Sequence, residues 1–255
     1  MEFKAFHGRS ATKQKYLKRL CSHMIAEQIL QGYGFWKNCK GSAVGCTVHG
    51  SLFAAYETEL GIPAQLAGLV DSFFESISTD MSKVWPERFL SAIPVGANLS
   101  LIWTQFVTWL LLDAGEGVIQ FVETDDERRA IQQVAGLYNT GCTDRMRWIA
   151  AGEEASFYFD GRKNIPYATR ALYAAVGTAR LAAHSSIAAL GKNRSIEEAG
   201  YAIQLKGYYA GKAVDEAASA VYWATNATDT VAVYERWAEK LLELLAAAPL
   251  NFKQV

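Results

Sequence analysis

The sequence predicts an all-α protein: a multi-helix array with a mixed, loop-rich N-terminal half and an antiparallel, alanine-striped C-terminal half. Three observations carry that expectation. Ala210, Ala213, Ala217, Ala220, Ala224 and Ala227 step by three and four, the spacing that lines one face of an α-helix. Ala168, Ala171, Ala175, Ala179 and Ala182 do nearly the same one helix earlier. Alternating strand patterns are scarce, and glycine and proline divide the remainder into helix-length pieces. Alanine is the best helix former, and a stripe of it lets a neighbouring helix axis come close.

In chain order, Phe3–His7 reads as a short extended segment. A helix follows from Ser10, with Tyr16, Leu17, Leu20, Met24, Ile25 and Leu30 as its apolar face and Gly32 and Gly34 as stop signals. The stretch Phe35–Gly50 is rich in glycine and small residues and reads as a loop, or as a loop feeding a helix. Leu52–Leu60 has helical character and stops at Gly61-Ile62-Pro63. Pro63 then suits the first turn of a helix over 64–77, where its missing N–H costs little. Pro86 in Val84-Trp85-Pro86 suits a second such start. The most apolar window, Leu99–Leu112, reads as a buried core helix, being shorter than the roughly 20 residues of a membrane span. Val118–Val122 stays open between strand and helix.

Thr124-Asp125-Asp126-Glu127 reads as an N-cap with an acidic first turn, which suits the helix dipole, and opens a helix to about Tyr138. Another helix starts near Asp144, and Phe157–Gly161 reads as a loop with aromatic anchors. The alanine helices run from Pro166 to Leu190 and, after a turn at Gly191-Lys192-Asn193, from Ser195 to Thr225. Val231–Ala248 closes the chain with Trp237, Leu241, Leu242 and Leu245 facing inward. Two regions are expected, 1–122 with the glycine- and cysteine-rich loop and 123–255 with the alanine array, sharing one core.

Half of the 255 residues are hydrophobic and a fifth are charged, a globular composition. The net charge of −1 supplies no global basic field, so direct nucleic-acid binding is not expected. Lys13, Lys15, Lys18 and Arg19 read as a solvated helix face. Met1–Phe6 is too short and polar for a signal peptide, so a cytoplasmic location with reduced thiols at Cys21, Cys39, Cys46 and Cys142 is expected, with no membrane partner.

Candidate chemistry concentrates at Cys39, Cys46 and His49, the last two three apart, with Glu57 and Glu59 shortly after. Thiolate, imidazole and carboxylate are zinc ligand types. Structural zinc motifs, however, bring two close pairs, and a free cysteine packs well without a metal. Cys46 as nucleophile with His49 as base needs a third, orienting group that the sequence does not identify. Lys40-Gly41-Ser42 has the letters of a phosphate loop in another order and no preceding strand. No cofactor is therefore expected. Trp85 and Arg88 sit in Trp85-Pro86-Glu87-Arg88, either as a packed tryptophan with an exposed ion pair or as binding groups. Tyr201, Tyr208, Tyr209, Tyr222 and Trp223 carry the residue types enriched at interfaces, and equally those that interdigitate with alanine.

Gly45-Cys46-Thr47-Val48-His49, Ala54–Pro63 and Trp85–Gly96 resemble an uncharacterised family of alanine-rich helical proteins of bacteria and phages. The C-terminal Ala238–Leu245 resembles the closing helix of those proteins. In that family a second cysteine stands where this chain has Ser42, which weakens a cysteine-pair metal site here. The array is also loosely similar to immunity-type helical proteins. The resemblance implies a non-enzymatic inhibitor that binds another protein or a bacterial defence ribonucleoprotein, as an anti-CRISPR or immunity protein does. The alternatives are a metal-dependent or small-molecule enzyme around Cys46, His49, Tyr56 and Glu57, and a homodimer joined through the alanine face.

Overall fold

The computed structural model describes residues 3–160, 170–191, 195–225 and 230–250. Ala168, Ala227 and the breaks expected at 192–193 and 227–229 lie outside them. Among the described residues there are eleven α-helices and one two-stranded hairpin, so the protein is predominantly all-α. The chain forms two compact units, Met1–Trp103 with Val231–Val255, and Thr104–Thr230. This differs from the expected 1–122 and 123–255. The closing helix belongs to the first unit, because its apolar face packs on helices of the N-terminal half.

The first unit contains α1 (Ser10–Ile25), the hairpin β1 (Trp36–Lys37) and β2 (Lys40–Gly41), α2 (Ala43–Val48), α3 (Ala54–Leu60), α4 (Ala64–Ser76), α5 (Thr79–Ala92) and α11 (Val231–Ala246). Its core is aromatic. Phe73 of α4 meets Trp85 of α5 edge-on at 5.7 Å and Tyr234 of α11 at 6.3 Å. Trp85, Phe89 and Trp237 are fully buried, and the Trp85 indole donates to the Val70 carbonyl at 3.1 Å. Ser78 caps α5, and its hydroxyl donates to Glu235 of α11 at 2.6 Å. Lys13 of α1 donates to the carbonyls of Ser91 and Ile93 at 2.8 and 2.7 Å, tying α1 to the end of α5.

Three local expectations are corrected here. Pro86 does not start a helix but sits inside α5, which begins at Thr79. Proline removes the bond that the Ser82 carbonyl would accept, and the burial of Trp85, Phe89 and Leu90 on either side holds the helix through it. Phe3–His7 is not simply extended. Phe6, His7 and Gly8 adopt positive φ of 53°, 51° and 71°, a conformation costing roughly 1–2 kcal/mol for each non-glycine residue. Full burial of Phe6 and the backbone bond from Ala5 N–H to the Ala97 carbonyl (2.9 Å) offset that cost. Phe157 lies in a helix rather than a loop, since α8 (Arg145–Asp160) runs through it.

The second unit contains most of α6 (Ile102–Leu112), a 3-10 turn at Val118–Phe121, α7 (Asp125–Asn139), α8, α9 (Arg170–Ala189) and α10 (Ile196–Thr225). Thr124 and Glu127 form the capping box that starts α7. Helices α9 and α10 are antiparallel: Ser185 donates to the Lys206 carbonyl at 2.9 Å, and one position earlier His184 meets Tyr209 at 5.2 Å. Ala175, Ala179 and Ala182 on α9 and Ala210, Ala213, Ala217 and Ala220 on α10 are all fully buried. Ala224 is exposed, so the seam ends before it. The alanine face is thus used within the chain and is not open for a homodimer. Tyr138 of α7 joins this layer, its hydroxyl donating to the Ala182 carbonyl at 2.7 Å and accepting from Ser186 at 2.9 Å. Among the described residues no helix is long and apolar enough to cross a membrane.

Two glycines give opposite expectations. A Cβ on Gly45 would fall inside the Phe35 carbonyl, whereas one on Gly136 of α7 meets nothing within 4 Å. Gly45→Ala should destabilise by about 3 kcal/mol, the upper end of overpacking. Gly136→Ala should stabilise by roughly 0.5–1 kcal/mol through helix propensity. Chemical denaturation of both variants, read by circular dichroism, checks the signs.

Candidate functional site

The residues expected to bind a partner separate into two groups. Trp85 is fully buried, and Arg88 pairs with Glu239 at 2.8 Å. Trp85 therefore cannot meet a partner while α5 is folded, and Arg88 fastens α5 to α11. The tyrosines of α10 behave differently. Tyr201 is 67% exposed, Tyr208 50% and Tyr222 39%. Their spacing of seven and fourteen aligns them on one line of the helix. At 100° per residue that line lies roughly 170° from the buried alanines. One helix thus packs through alanine and presents tyrosine on the reverse. Asp215 falls on the same line, and Lys212 pairs with it at 2.8 Å, placing charge between the rings.

Beside this line is a cleft of about 590 Å³ between α9 and α10, lined by Arg145, His184, Ile187, Tyr201, Leu205 and Tyr209 among others. Tyr209 is half-buried, with its ring against His184 and against Tyr208 at 5.5 Å. Burial and the neighbouring Arg180 charge lower the His184 pKa, so the imidazole is neutral at pH 7. Trp223 is half-buried, edge-on to Tyr222 at 4.7 Å. A cleft edged by tyrosine and arginine has the residue types of an interface anchor site. The sequence named its tyrosines; Arg145, His184 and Leu205 were missed, because only the antiparallel register brings three helices to one place.

The Cys46 constellation disperses. Ser42 caps α2 and donates to Asp71 at 2.8 Å. The Cys46 side chain points inward, and its thiol contacts the carbonyls of Gly41 (3.4 Å) and Gln28 (3.5 Å). Burial pushes that thiol up to about 12. The Glu57 carboxylate turns to the start of α4, accepting from Ala64 N–H at 2.9 Å. Tyr56 is buried and bonded to the Thr47 side chain, and its burial raises the phenol pKa. The His49 ring instead meets His23. Among the described residues no group of three or more His, Cys, Asp or Glu converges as a metal cluster. Cys46, His49 and Glu57 therefore do not form the three-ligand site considered from the sequence. A buried thiol protonated at neutral pH also lacks the thiolate a nucleophile needs.

No family model matches the chain, and comparison with curated proteins and with solved structures gives no match.

The thiols provide a direct check. Cys21 and Cys39 are exposed and Cys46 is buried. Iodoacetamide at pH 8 should alkylate Cys21 and Cys39 in the native chain and reach Cys46 only after denaturation, as read by peptide mass spectrometry. Between pH 9 and about 12 the unfolded Cys46 thiol ionises while the folded one stays protonated. The unfolded state then binds fewer protons, so this group's contribution to stability falls as pH rises through that window.

Proposed function

We propose that the protein is a non-enzymatic binding protein that acts by occupying the surface of another protein, using the tyrosine line of α10 and the adjoining cleft. The observation that carries this reading is the reverse face of α10: tyrosines at 201, 208 and 222 held in water by a helix whose opposite face is sealed with alanine. Tyrosine offers large contact area with few rotatable bonds to immobilise, which makes it a favoured anchor where partners dock. The Lys212–Asp215 pair supplies polar contacts between anchors. The resemblance to phage and immunity-type proteins supports a bacterial defence complex or a toxin as the partner, with inhibition as the outcome.

Photo-crosslinking tests the reading. A photoreactive phenylalanine analogue at position 208 should give one discrete adduct with a foreign protein in producing cells. The same analogue at Tyr33, which is exposed on the other unit, should not give that adduct. Tyr201→Ala and Tyr222→Ala should each weaken binding of the captured partner by roughly 30-fold, the ~2 kcal/mol of an anchor residue. Their folding stability should change by less than about 0.5 kcal/mol, as for exposed positions. Adducts only with a second copy of this chain, or affinity indifferent to these tyrosines, would overturn the proposal.

A further inference from the structure

His23 and His49 meet in the first unit. His23 lies in the last turn of α1 and is 9% exposed. His49 is the C-cap of α2, held in the left-handed region at φ 54° and ψ 44°, and its side is open to solvent. Their Nε2 atoms are 2.8 Å apart. His23 Nδ1 is 2.6 Å from Gln28 Oε1. A carbonyl oxygen only accepts, so Nδ1 carries a proton, and in the neutral ring Nε2 then presents its lone pair to His49. Trp36 fixes both rings, stacking on His49 at 4.3 Å and 12° and meeting His23 edge-on at 5.3 Å.

These features are those of a metal-binding histidine pair. A ligating imidazole characteristically donates its outer N–H to a carbonyl or carboxylate, as His23 does to Gln28. With zinc–nitrogen bonds of about 2.0–2.1 Å, two adjacent ligand atoms stand roughly 2.9–3.4 Å apart, so the observed pair need open by only a few tenths of an ångström. Of the charges that act on His49, Arg19 and a protonated His23 oppose a cation and Glu59 favours one. Arg19 is itself engaged, donating to the Thr47 carbonyl at 2.7 Å and lying over the Tyr16 ring. We propose that His23 and His49 form a two-histidine site for a first-row divalent metal ion such as zinc. No third His, Cys, Asp or Glu joins them among the described residues. The ion therefore keeps open positions on the His49 side for water or a small ligand.

A proton shared between the rings satisfies the same contact, and the test separates the two. The full chain, with Cys21, Cys39 and Cys142 changed to serine so that accessible thiols take no zinc, is stripped with a chelator and titrated with zinc by calorimetry. One equivalent should bind. His23→Gln and His49→Gln should each lose at least ten-fold in affinity, and Gln28→Ala roughly 10- to 100-fold as an outer-shell change. His7→Gln, whose ring contacts the Thr58 carbonyl instead, should leave binding unchanged. Long-range ¹H–¹⁵N spectra of the rings in the unsubstituted histidine pair supply a second readout that does not depend on how the variants fold. Zinc should shift both Nε2 resonances together. Binding that both variants retain, or ring resonances indifferent to zinc, would leave only the shared proton and overturn the proposal.

Discussion

The first unit depends on one steric constraint, the closeness of the Phe35 carbonyl to the backbone of Gly41 and Gly45. Neither glycine has room for a Cβ. That approach lets the hairpin turn directly into α2, with the Ser42 amide donating to Phe35 and its hydroxyl capping the helix. Everything distinctive nearby follows from it. Cys46 is carried inward against the Gly41 carbonyl, His49 emerges at the end of a short helix, and Trp36 on the first strand lies over its ring. A side chain at position 45 would push the hairpin off α2 and separate those groups together.

In the second unit the equivalent constraint is the absence of bulk along the α9–α10 seam. Alanine buries little area per residue, so the seam gains from close approach and from the polar bond that crosses it, Ser185 to Lys206, while Tyr138 of α7 bonds to the Ala182 carbonyl of α9. Sealing one face so cheaply in volume leaves the reverse face of a long helix free to carry tyrosine. The cleft is a consequence of the same geometry. Ala188 and Ala202 fill little of the space between the helices, and Ile187, Leu205 and Tyr209 form its walls.

The helical class was legible because its signals are local. Alanine spacing, the Thr124 capping box and Pro63 before α4 depend on neighbours a few residues away. What was not legible depends on distant partners. Pro86 reads as a helix start until Trp85 and Phe89 are seen buried on either side of it. The closing helix reads as part of the alanine array until Tyr234 and Trp237 are placed in the core with Phe73. His49 was visible as a candidate and its partner was not, because His23 is twenty-six positions earlier on another helix. The tyrosines of α10 read as binding residues from the sequence, but spacing alone does not separate the solvent-facing three from Tyr209 and Trp223, which turn partly inward.

In the proposed function α10 divides its labour, one face packing within the chain and the other meeting a partner. Hydroxyl-radical footprinting of the isolated complex tests it most directly. Oxidation of Tyr201, Tyr208 and Tyr222 should fall several-fold on complex formation while Tyr33 stays unchanged. Shielding of Tyr33 and the hairpin, with the three α10 tyrosines as reactive as in the free chain, would contradict the account and move the working surface to the first unit.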